Sequence, residues 1–218
     1  MKNARIQYTS WEEMPAEIQA VFVGMMGNDA ERAQTFFELY FYWFVPAHEV
    51  AHVLRGYYST SDSRHWNEET ACNSFAVAYW KTRGETKRLL DLREFVHEAH
   101  GRLADPVPHD ESRSEYFDTH YRELGSNPSA YGHYQFSMLL TALEEQVSLI
   151  EALRTFITPQ ASETVPPSTN SYPVIRPNLP VQIVRDMYDY LAPYGVDLPE
   201  IQVIRSYSPN IEFVNWDA

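Results

Sequence analysis

The residues best suited to chemistry form one short run, Ala47-His48-Glu49-Val50-Ala51-His52-Val53-Leu54. Its centre reads H-E-x-x-H. On a helix, positions i and i+4 share a face, so His48 and His52 can present imidazole nitrogens to one metal ion. Glu49 falls about 100° further round. There it can reach a water instead of the ion and take its proton. Two imidazoles and a carboxylate suit zinc, which leaves a fourth position for water in reactive sites. Iron, manganese and nickel accept the same donors. Val50, Ala51, Val53 and Leu54 are apolar or small, which puts this helix in the interior with its histidines toward a pocket. Two buried histidines and a glutamate with no metal would need several hydrogen-bond partners.

A third donor has to come from another element. A third histidine at the short metzincin spacing would stand at position 58, which is Tyr58. A carboxylate from a following helix is the alternative. Asn67-Glu68-Glu69-Thr70-Ala71-Cys72-Asn73-Ser74-Phe75-Ala76 offers both Glu68 and Glu69. Cys72 could add a thiolate, but a small buried helix residue is its simpler reading.

The pair H-E-x-x-H and then E-x-x-x-N-x-F-A resembles the gluzincin branch of zinc metallopeptidases. Its nearest likeness is the intracellular repressor-cleaving and radiation-response group. The resemblance spans His48 to Ala76, with Cys72 where an alanine is expected. It implies one zinc per chain, bound by His48, His52 and Glu69, the glutamate whose spacing to Asn73 fits. It implies Glu49 as general base, Asn73 as a residue orienting a ligand histidine, and a peptide or intracellular protein as substrate. Similar enzymes use a Tyr or His to stabilise the oxyanion. Here Tyr131-Gly132-His133-Tyr134 offers His133 or Tyr131, and Tyr57, Tyr58 and His65 are further candidates. The alternative is a non-hydrolytic or latent zincin-like regulatory or binding protein with a structural zinc. His97 and His100 stand i, i+3 without an evident third ligand and read as a solvated helix face.

The elements that must position these groups are mostly helical. Ser10 and Glu13 form a capping-box pattern, which predicts a helix from near Trp11. Ile18, Val21, Phe22 and Met25 recur at helical spacing. A second helix is expected over 29–42, and a third after Pro46 to about Leu54. Others are expected over 67–82, 85–103, 129–156 and 181–191, with 109–127 partly helical. Residues 197–218 alternate as an extended arm. The expected fold is mainly α: a zincin-like domain with an active-site helix, a ligand-bearing second helix, and little or no sheet. Its expected division is 1–157 as the peptidase domain, 158–180 as a Pro/Ser/Thr-rich linker, and 181–218 as C-terminal helix and arm.

The 218 residues carry 30 Asp and Glu against 17 Lys and Arg, a net charge of −13. So acidic a chain is poorly suited to gripping nucleic acid or an anionic membrane. One cysteine forms no internal disulfide, and no apolar leader or run long enough for a bilayer is visible. A soluble, cytoplasmic protein is expected.

Overall fold

The aromatic run around Phe36–Phe44 lies at the centre of the molecule. Phe36, Phe37, Tyr42, Trp43 and Phe44 are fully buried. The computed structural model describes residues 4–58, 64–158 and 172–206. The chain is mainly helical. In order it forms β1 (Ala4–Tyr8), α1 (Ala16–Met25), α2 (Ala30–Phe37), α3 (Val45–Tyr58), α4 (His65–Thr82), α5 (Thr86–Arg102), α6 (Arg113–Gly125), α7 (Pro128–Glu144), α8 (Leu149–Leu153), α9 (Leu179–Leu191) and β2 (Ile201–Arg205). No helix among the described residues is long and apolar enough to cross a membrane.

Between α2 and α3 the backbone stays helical but widens to π-type hydrogen bonding over Glu38–Phe44. Pro46 explains the location. It has no N–H, and its ring crowds the carbonyl four residues back. A wider turn just upstream absorbs both effects. The chain therefore enters α3 without a break, and His48 and His52 ride on a helix continuous with the aromatic core.

α4 packs along α3, and α7 packs along both α4 and α5. Where α3's lead-in meets α4, Trp43 and Trp80 stack with ring centroids 4.4 Å apart. Both are fully buried. Trp80→Ala is expected to cost about 3–5 kcal/mol, as for other buried aromatic truncations. Thermal denaturation should show this as a loss on the order of 10 °C, and a change within error would contradict the packing.

Local signals held at some helix starts and were overridden at others. Asn127 caps α7, its side chain accepting from Ser129 and Ala130 N–H, with Pro128 in the first turn. The helix expected to run to 156 stops at Glu144, because Glu145 is extended. Ser148 and Glu151 then form a capping box that starts α8 anew. At the N-terminus, Trp11–Glu13 makes only a 3₁₀ turn and the first α-helix begins at Ala16. Arg205 competes for the capping groups, donating to Ser10 Oγ (2.8 Å) and to Glu13 (3.0 Å).

The sheet is small. β1 and β2 pair in parallel, from Ala4 beside Ile201 to Tyr8 beside Arg205. The expected extended arm thus includes a paired strand. α9 packs on α3, and its Ile183, Val184 and Met187 belong to the same core as Ile6 and Trp43. Most of the expected linker, 159–171, and the end of the arm, 207–218, lie outside the described residues. A satellite cluster of Phe117, Leu124, Tyr131, Tyr134 and Met138 joins α6 to α7. Asp118 fastens α6 to the start of α4 by accepting from Trp66 N–H at 2.8 Å, where a carboxylate also suits the helix dipole.

Candidate metal centre

α3 and α4 bring three donors to one point. His48 Nε2 lies 3.1 Å from His52 Nε2. Glu69 Oε2 lies 3.2 Å from His48 Nε2 and 3.6 Å from His52 Nε2. His48 and Glu69 are buried and His52 is half-buried. Two imidazole lone pairs so close repel unless a proton or a cation lies between them. This buried His48, His52 and Glu69 group could hold a metal ion, and it is the one such three-donor group found among the described residues.

The electrostatics fit a charged, shared site. Burial alone would raise the Glu69 carboxyl, but His52 and His48 outweigh it and hold it well below the usual carboxylate range. Burial likewise opposes charge on His52, yet the Glu69 and Glu68 carboxylates beside it hold it well above an ordinary histidine. Burial pushes the Cys72 thiol up to about 11. It therefore stays a neutral thiol at neutral pH, in keeping with a small buried helix residue.

Glu68, the rival for the ligand position, does a different job. Its Oε1 lies 2.9 Å from His52 Nδ1, and Arg55 Nε approaches its other oxygen at 3.4 Å. A carboxylate on Nδ1 fixes the ring and the tautomer, leaving the Nε2 lone pair for the cluster. Adjacent residues on a helix point about 100° apart. Glu69 therefore faces inward to both histidines while Glu68 reaches the outer side of His52.

Asn73 has a contact that the resemblance does not supply. It donates to the Glu69 carbonyl (2.9 Å) and to Gln135 Oε1 (3.2 Å), and makes no hydrogen bond to a histidine among those described. Glu49 is half-buried beside His48. Burial first, then the Glu69 and Glu49 carboxylates, push the Tyr40 hydroxyl up.

Tyr131 reaches the cluster and His133 does not. The Tyr131 hydroxyl donates to Glu69 Oε1 at 3.2 Å. His133 lies two residues on, about 200° round α7. Its ring packs on His100, with centroids 4.5 Å apart. Its Nε2 lies 3.3 Å from Arg113 and 3.6 Å from Asp105. Tyr57 is exposed. The Tyr58 hydroxyl is engaged by the Asp197 backbone, and His65 stacks on Tyr121.

The His100–His133 pair should mark the pH dependence of stability. Burial lowers both imidazoles. Nearby cations add to this, His100 and Arg113 for His133, and Arg113 and His97 for His100, and Asp105 opposes it in both. The folded protein thus prefers both rings neutral. Their contribution is fully present above the ordinary histidine value of about 6.5. It is lost as pH falls through and below that value, because the unfolded chain takes up protons first. Melting curves between pH 8 and 5 should therefore fall less steeply for His133→Asn than for the native protein, and parallel curves would refute this.

Sequence reasoning missed Gln135 and Tyr121. Gln135 Nε2 donates to Glu69 Oε2 at 2.7 Å, and the Tyr121 hydroxyl donates to Oε1 at 3.1 Å. Tyr131 and Gln135 stand i, i+4 on one face of α7, a spacing that the sequence displays. Nothing local marks Tyr121. No protein-family model, curated protein or solved structure matches this chain.

Proposed function

We propose that this chain is a zinc-dependent metallopeptidase that hydrolyses peptide bonds with Glu49 as general base. The observation that carries the reading is the spacing of three donors beside that glutamate. Tetrahedral zinc with bonds of about 2.0–2.1 Å separates its donor atoms by about 3.3 Å. The pairs formed by His48, His52 and Glu69 measure 3.1, 3.2 and 3.6 Å. Two imidazoles and one carboxylate are also the donor chemistry that zinc favours in reactive sites.

Zinc in this position would acidify a water and polarise a peptide carbonyl. Glu49 takes the proton and returns it to the leaving amine. Glu68 keeps His52 in its ligating tautomer. Tyr131, committed to Glu69, acts through that carboxylate and not on the substrate. The substrate class in this reading is a peptide or a protein.

The test is cleavage of a quenched-fluorescence peptide library by zinc-loaded protein. Turnover should stop with a chelator and return with zinc. Zinc bound tightly, with no member of a broad library cleaved, would overturn the peptidase reading and leave a structural metal.

A further inference from the structure

The hydrogen bonds on Glu69 restrict how it can meet a cation. An ionised carboxylate offers about four lone-pair directions, two on each oxygen. Oε1 accepts hydroxyls from Tyr121 at 3.1 Å and from Tyr131 at 3.2 Å. Both of its directions are taken. Oε2 accepts from Gln135 Nε2 at 2.7 Å. Its remaining direction faces His48 Nε2 at 3.2 Å and His52 Nε2 at 3.6 Å.

These donors are themselves held. Gln135 Oε1 accepts from Asn73 at 3.2 Å, which orients the amide so that Nε2 points at Glu69. The same Nε2 donates to the Tyr131 hydroxyl at 2.8 Å. The Tyr121 ring lies flat on His65, with centroids 3.9 Å apart and planes 5° from parallel. A carboxylate gripped on three of its four directions, by partners that are fixed in turn, cannot swing to offer both oxygens.

We propose that Tyr121, Tyr131 and Gln135 are positioning residues that lock Glu69 as a one-oxygen ligand, so that a cation shared with His48 and His52 keeps a coordination position open for a further ligand. This rests on the metal-site part of the reading above and not on hydrolysis. A carboxylate free to turn would chelate through both oxygens and fill that position. The tyrosines thus set the coordination number without touching the ion.

Cobalt(II) bound to the full chain is the probe, because its visible absorption weakens as coordination number rises above four. The native protein should give a strong visible band on titration. The double variant Tyr121→Phe/Tyr131→Phe keeps both rings and frees Oε1. It should still take up cobalt, with a several-fold weaker, blue-shifted band and an affinity altered by roughly 10–100-fold. A native-like band in the folded double variant would overturn the proposal, even with a lowered melting temperature, since packing alone would not move the spectrum. Should the double variant fail to fold, Tyr121→Phe and Tyr131→Phe singly each remove one donor from Oε1 and should each weaken the band. Unchanged spectra in both would overturn it equally. No cobalt uptake by the native protein would instead overturn the metal-site reading, a failure distinct from the others.

Discussion

Glu69→Gln is expected to empty the metal centre. Protein purified without added metal and then offered zinc should bind about one ion per chain in the native form, and close to none in the variant. The loss should exceed the roughly 100-fold that removing an outer partner of a ligand can cost. Two effects act together. The variant removes the negative charge that sits 3.2 and 3.6 Å from the two imidazoles. A cation there would then be buried with its nearest counter-charge gone, a large penalty in a low-dielectric interior. The new amide would also present an NH₂ either to Gln135 Nε2–H or to the Tyr121 and Tyr131 hydroxyls, all of which are donors at this carboxylate. Elemental mass spectrometry on both proteins, with melting curves to show that each is folded, checks the result. A folded Glu69→Gln protein that keeps its metal would mean that Glu69 is not a ligand.

Glu49→Gln is expected to separate chemistry from metal binding. In the proposed peptidase it should lower kcat by about 10²–10⁴-fold, the usual contribution of a general base, while metal content stays native. The argument rests on position. Glu49 follows His48 on α3, and it makes none of the short contacts that join His48, His52 and Glu69. Glutamine keeps its size and loses its basicity. Activity measured on a peptide cleaved by the native protein, beside metal content of the same preparation, gives the answer. Equal loss of metal and activity would make Glu49 part of the ligand set, and retained activity would remove it from the mechanism.

Each of these expectations uses a local feature and a distant one, and the two differ in how far the sequence reveals them. His48, Glu49 and His52 were legible because helical spacing alone decides which side chains share a face. Asn127 with Pro128 marked the start of α7 for the same reason, since a cap is made within four residues. The end of that helix was missed although Ser148 and Glu151 were in view. The apolar periodicity runs through both helices and hides the extended break at Glu145. The Ser10 and Glu13 pattern starts only a 3₁₀ turn at Trp11. Its groups are drawn to Arg205, which is nearly the whole chain away.

By itself the sequence determined the mainly helical build and the histidine pair, because both follow from periodicity over a few turns. Tertiary structure decided the rest. Glu68 and Glu69 are chemically the same and adjacent, and only the way α4 lies on α3 turns one toward both histidines and the other toward the outer nitrogen of His52. Tyr121, Tyr131 and Gln135 stand 52, 62 and 66 residues from Glu69, and the packing of α6 and α7 on α4 is what makes them its partners. The strand ends meet for a similar reason. Alternation in Ile201–Arg205 announces a strand, but the backbone hydrogen bonds that choose β1 as its partner carry no mark in the side chains.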